Sequence, residues 1–242
     1  NWVAEQVDWL LSKPGVLGVK PYYTLIGYTK DLSNPNIHAN IFDFMPHHQL
    51  EVLEQRHAWL TLHVPKLERL GHPDNIRQVK ELRRRYPNIK LVIAHFGRSY
   101  TLPHAEEGLL PLLDDEGILF DTAAVLNPAV HELALKRVGA DRILYGTDNP
   151  FFLMRGRRQW KDKTYINRTS HPFCFNKERE APEIEAKYTL YMYEALRAMK
   201  ESCDKAGLGS EAIHKIFYGN ARRLIEDVLR KKGEAPSDWE GK

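Results

Sequence analysis

Short apolar runs rich in Val, Ile and Leu alternate along the chain with longer stretches whose apolar residues recur every three to four positions. The runs predict strands at about residues 16–20, 58–63, 89–95, 117–121 and 142–147. The intervening periods predict helices at about 2–11, 50–56, 74–86, 105–113 and 128–138. In 74–86, Ile76, Val79 and Leu82 share one face and Asp74 is the expected cap. In 128–138 the proline falls in the first turn, where no helical partner is lost with its N–H. Strand runs nearly devoid of polar residues argue for a parallel sheet covered by helices, so the expected fold class is α/β.

A closed eight-stranded barrel needs three strands more than the five read here, and the last 90 residues offer no further convincing strand. The chain therefore reads either as an open sheet or as the later five-eighths of a barrel. Residues 151–182 are rich in aromatic, Lys and Arg residues without a clear period, and a loop of that length is expected to serve a site or an assembly. Residues 183–205 have a long helical period, and another helix starts near Ser210, its cap candidate. The organisation expected is one partial barrel domain over 1–232 with an insertion at 151–182, followed by a tail at 233–242.

Composition narrows the class. With 242 residues, 43% hydrophobic and 28% charged, the chain can bury one sizeable core, and no run approaches the length of a membrane span. A net charge of +3, with basic residues interspersed among acids, gives no reason to expect a nucleic-acid partner. Cys174 and Cys203 are not spaced for metal or redox work and read as free thiols of a cytoplasmic protein, with a single disulfide as the alternative. The opening NWVAEQ lacks the layout of a signal peptide, and a first residue of Asn1 rather than Met leads us to expect an upstream segment that is missing or processed.

Three runs end in residues able to do chemistry: AWLTL in His63, IKLVIA in His95 and RILYGT in Asp148. In a parallel barrel such strand ends converge on one rim although they are far apart in sequence. An ionised Asp148 after an apolar strand needs a partner, a hydrogen bond or a metal, unless it caps the turn begun by Asn149 and Pro150. His63 is a candidate zinc ligand and His95 a candidate proton-transfer group beside Gly97, each against the plainer reading of a hydrogen-bonded core histidine. Arg98 is placed to bind a carboxylate with its planar fork, or to pair with Glu106 or Glu107. Tyr22, Tyr23, Phe152 and Trp160 offer an aromatic wall, and His47, His48 and His171 are weaker rim candidates.

These segments resemble the amidohydrolase-related metal-dependent hydrolases that include aminocarboxymuconate-semialdehyde decarboxylase and related aromatic-acid decarboxylases. GVLGVKPYY is similar to that family's fourth strand, LTLHVP to its fifth, LVIAHFGRS to its sixth and ILYGTDNP to its eighth, while IHKIFYGNARRLI resembles its closing helix. The resemblance implies a divalent metal, commonly zinc, bound by His63 and Asp148, with His95 helping to activate water or substrate. It implies structural roles for Asn220 and Arg223. For Lys20 it leaves a substrate carboxylate contact, a structural ion pair or, least, a metal-bridging role. The family's H-x-H on its first strand has no counterpart before Lys20, so either the first three strands are missing or supplied elsewhere, or this homologue has given up its metal.

The function this implies is a metal-dependent hydrolase of a small carboxylate-bearing lactone, amide or ester, with Lys20, Arg98 and Tyr22 contacting substrate. The alternatives are non-oxidative decarboxylation of an aromatic or unsaturated acid, and a catalytically inactive binding or structural protein. The expected partners are a small-molecule substrate and either a second copy of the chain or a complementary N-terminal segment, with no membrane involved.

Overall fold

A computed structural model describes residues 2–26, 36–171 and 179–234. Five strands, β1 (Gly18–Val19), β2 (Trp59–Leu62), β3 (Lys90–Ile93), β4 (Ile118–Asp121) and β5 (Ile143–Leu144), pair in sequential order. Every neighbouring pair is parallel, with Trp59 opposite Lys90 and Phe120 opposite Ile143. Each lies within its predicted run. Parallel pairing requires a return crossover, and helices His47–Gln55, Pro73–Arg85, Leu102–Leu109 and Pro128–Arg137 lie in the successive connections.

Burial explains why the strand runs are so apolar. Leu60, Leu62, Leu91, Ile93, Ile118 and Phe120 are fully buried in the main core, together with Leu50, Leu53, Val79, Leu82 and Val130 of the helices. Val92 and Leu144 belong instead to a second cluster with Leu224 of the closing helix Asn220–Lys232, so the sheet is covered on both faces there. That helix is fastened by Asn220, whose Nδ2 donates to the Ala140 carbonyl at 2.7 Å and the Ile143 carbonyl at 2.8 Å, and by Arg223, which donates to the Asp141 carbonyl at 3.0 Å. Among the described residues β1 and β5 are the free edges of the five-stranded sheet, and no closed barrel forms.

Two expected caps are corrected. The 73–85 helix is capped by the His72 imidazole, which accepts the Asp74 N–H, while Asp74 turns outward to Arg77 at 2.9 Å. The later helix begins at Ser210 after an N-cap at Gly209.

The expectation of no strand after β5 is also corrected. β6 (Arg155–Lys161) and β7 (Thr164–Thr169) form an antiparallel hairpin, and β8 (Thr189–Leu190) adds to β6. The hairpin buries only Gly156 and Thr169, so no alternation of apolar residues marked it in the sequence. It is held down by Tyr191, whose hydroxyl donates to the Arg157 carbonyl at 2.7 Å. The long period over 183–205 divides into a short turn of helix, Pro182–Glu185, then β8, then the helix Tyr191–Lys205.

Cys203 is a buried free thiol, and Cys174 lies outside the described residues. Among the described residues no helix is long and apolar enough to cross a membrane.

Candidate active site

Parallel strands place all their carboxyl ends on one side. His63 directly follows β2, His95 follows β3 by two residues, Asp121 ends β4, and Asp148 lies four residues beyond β5.

His95 opens a left-handed turn in which His95, Phe96, Gly97 and Arg98 all have positive φ, at 58°, 48°, 70° and 64°. Such backbone costs a non-glycine residue about 1–2 kcal/mol and persists only when its surroundings hold it. Here the His95 N–H donates to Asp121 Oδ1 at 2.7 Å, the His95 Nδ1 donates to the Ala123 carbonyl at 2.8 Å, and Phe96 is fully buried. Gly97 is required twice, by its φ and because a Cβ there would stand 2.3 Å from Leu70 Cβ. With Nδ1 donating, a neutral His95 has Nε2 as its acceptor.

The His63 ring lies 5.5 Å from each of the Tyr22 and Tyr23 rings and 5.1 Å from that of His95. Burial above all, then the charges of His95, Arg98 and Lys20, pushes its pKa down to about 2. It is therefore a neutral imidazole, and its buried Nδ1 has no hydrogen-bond partner among the described residues. Asp148 has left-handed backbone (φ 60°) and faces the Lys20 ammonium at 3.7 Å. Burial opposes the Lys20 charge, but the Tyr22 hydroxyl and the Asp148 and Asp121 carboxylates outweigh it and raise its pKa.

These groups open onto a cavity of about 810 Å³ lined by His63, His95, Arg98 and Asp148 on the rim side and by Arg158, Tyr165 and Asn167 of the hairpin on the other. Of the expected aromatic wall, Tyr22, Tyr23 and Phe152 line it; Trp160 does not and is 40% exposed. Lys20 lies in an adjoining groove that shares Tyr22. Arg98 makes no pair with Glu106 or Glu107: its Nη1 donates to the Val64 and Lys66 carbonyls at 3.3 and 2.9 Å, and Glu107 pairs with Lys163. His47 bonds the Tyr86 hydroxyl and His48 the Trp2 carbonyl, and neither they nor His171 line the cavity.

Two residues that shape the site were not singled out in the sequence. Asp121 carried the same signal as His63 and His95, a polar residue ending an apolar run. Arg158 carried none, lying among the several basic residues of RGRRQWK.

Among the described residues no group of three or more His, Cys, Asp or Glu side chains is placed to hold a metal. Two donors nevertheless have the right chemistry, the neutral His63 imidazole with its orphaned nitrogen and the Asp148 carboxylate. They make a partial ligand set, short of the three protein ligands of a catalytic zinc centre.

The sequence model of the family described as Amidohydrolase matches residues 10–226. The chain belongs to this amidohydrolase family. Its fold is similar to that of an amidohydrolase from Burkholderia multivorans (TM-score 0.51, 13% identity, 86% of this chain and 64% of that one). It is similar also to 5-carboxyvanillate decarboxylase from Sphingomonas paucimobilis (TM-score 0.52, 13% identity, 92% and 62%). A third similar fold is 2,6-dihydroxybenzoate decarboxylase from Rhizobium (TM-score 0.51, 15% identity, 92% and 66%). At these identities the likeness is one of fold, a barrel-like α/β architecture, and this chain spans less than two thirds of the length of each. No curated protein matches the chain.

Proposed function

We propose that the chain carries the catalytic rim of a metal-dependent hydrolase acting on a small carboxylate-bearing lactone, amide or ester. The observation that supports this most is that His63, His95 with Arg98, and Asp148, from three separated stretches of sequence, face a single cavity. His63 and Asp148 would hold a divalent metal, zinc by the chemistry of the donors, together with ligands beyond the described set. Bound there, it would supply Lewis acidity at the reacting oxygen.

The chain's own residues account for the rest. His95, oriented by Ala123 and Asp121, takes or returns a proton at Nε2. Asp148 accepts a proton from the attacking water, its carboxylate standing 3.7 Å from the Lys20 ammonium. Arg98 receives the substrate carboxylate, Lys20 adds positive charge, and Tyr22 and Tyr23 flank the bound molecule beside His63. The hairpin closes the cavity from the side opposite the rim and limits its water. Non-oxidative decarboxylation is the second reading, and the aromatic lining, which suits a planar acid, favours it. The two free sheet edges support a second copy of the chain or a complementary segment as partner, and a cytoplasmic location remains part of the proposal.

The test is turnover of carboxylated esters and lactones, and carbon dioxide release from hydroxybenzoates, by the zinc-reconstituted chain and by Asp148→Asn and His95→Asn. Each substitution is expected to lower kcat by about a hundredfold or more, in the range of lost acid–base catalysis, with circular dichroism unchanged. Undiminished zinc-dependent turnover in Asp148→Asn would sink the assignment. Absence of zinc binding and of turnover would favour an inactive binding protein.

A further inference from the structure

The hairpin brings into the cavity a cation that the proposed chemistry does not use. Arg157 and Arg158 are neighbours on β6, and in a strand their side chains point to opposite faces. Arg157 pairs outward with Glu180 at 2.6 Å, an ordinary ion pair. Arg158 turns inward, and no carboxylate among the described residues lies within ion-pair distance of it.

Its guanidinium is held in a fixed plane. The rings of Tyr100 and Tyr165 lie 4.7 and 4.8 Å from it, Nε donates to Asn167 Oδ1 at 2.8 Å, and Nη1 donates to the Ala124 carbonyl at 2.7 Å. Nη2 has no acceptor among the described residues. Arg98 is similar, with Nη1 on two carbonyls and its guanidinium over Tyr23 at 5.6 Å. Arg69 stands behind on the same two tyrosines, 5.2 Å from each, and burial, with the charges of Arg98 and Arg158 adding to it, lowers its pKa. Three guanidinium groups thus gather with no carboxylate paired to them among the described residues, while the Asp148 carboxylate is already partnered by Lys20. A partly buried guanidinium in such company gains most from a bound carboxylate, which its fork meets with two directed hydrogen bonds.

We propose that Arg158 is a specificity-determining residue of this cavity: it seats a second acidic group of the substrate, so that planar dianionic acids are preferred over monoanionic ones. This rests on reading the cavity as the substrate site, with Arg98 receiving the first carboxylate. The hairpin is then a recognition element as well as a cover, and shortening it would relax the choice of substrate.

The experiment uses benzoate and isophthalate (benzene-1,3-dicarboxylate) as probes, titrated calorimetrically into the 242-residue chain at fixed ionic strength. The wild-type chain is expected to bind isophthalate about tenfold or more tightly than benzoate, the scale of one charge-assisted pair. Arg158→Gln is expected to weaken isophthalate by about tenfold and benzoate distinctly less, collapsing the preference. Because Arg158 also ties the hairpin to Ala124, Arg158→Lys serves as the second variant: it keeps the charge, loses the fork and should show an intermediate preference. A preference left intact in either variant overturns the proposal, as does failure of the wild-type chain to prefer isophthalate. Collapse of the preference in a chain that neither holds zinc nor turns over supports the subsite while the catalytic reading falls. Loss of turnover in Asp148→Asn with the preference untouched by Arg158→Gln does the reverse.

Discussion

The Oδ1 atom of Asp121 accepts the backbone N–H of His95 at 2.7 Å, so the last residue of β4 holds the first residue of the left-handed turn that follows β3. The same oxygen accepts the Ala123 N–H at 3.0 Å. Burial raises the Asp121 pKa, against the pull of His95 and these two N–H groups. The carboxylate therefore acts mainly as an acceptor that keeps the His95 turn closed.

Asp121→Ala strands two N–H groups, and at about 1–3 kcal/mol for each it should destabilise the protein by about 2–6 kcal/mol. Asp121→Asn keeps an acceptor oxygen and removes a charge that burial disfavours, so it should cost no more than about 1 kcal/mol. Urea unfolding of the two variants decides; equal losses would show that the charge, not the acceptor, matters.

His63 and Asp148 should be separable from the fold by their zinc affinity. His63→Asn and Asp148→Asn are each expected to weaken zinc binding by about tenfold or more, since each removes one donor of a small set. Equilibrium dialysis with metal analysis by mass spectrometry measures it, and an affinity unchanged in both would remove them from the ligand set.

Asn220→Ala removes both donors to the Ala140 and Ile143 carbonyls beneath β5, in a residue 1% exposed. Leaving those carbonyls unpaired is expected to cost about 1–3 kcal/mol. Thermal unfolding should show the loss, and probe binding in the cavity, which Asn220 does not line, should not change.

His131 supplies a pH dependence away from the site. Burial pushes its pKa down to about 4, the hydrogen bond to the Val125 carbonyl opposing this only in part. Between about pH 6.5 and pH 4 the unfolded chain takes up a proton that native His131 refuses, so this stability is present above pH 6.5 and lost as the pH falls. The limiting slope is about 1.4 kcal/mol per pH unit. His131→Gln should flatten that slope between pH 6.5 and 5, and urea midpoints equally pH-dependent in both proteins would refute it.

The five parallel strands were legible because each lies in a short run dominated by apolar residues, buried on both faces most plainly at Leu91 to Ile93. His63, His95 and Asp148 were legible as polar punctuation at the ends of such runs. Asp121 had the same signature but reads equally as a turn residue until its two N–H partners are seen. The hairpin was hidden because its strands bury almost nothing of their own, and their pairing is held by Tyr191, more than 20 residues beyond β7.

What the sequence by itself determined is therefore the local periodicity, which sets the strands, the crossover helices between them and the side of the sheet on which the strand-end residues lie. Only the tertiary structure decided which of those residues meet. That Arg158 enters the cavity while Arg157 leaves it depends on one residue of register against β7, and a run of arginines carries no record of which of its members will face an anion.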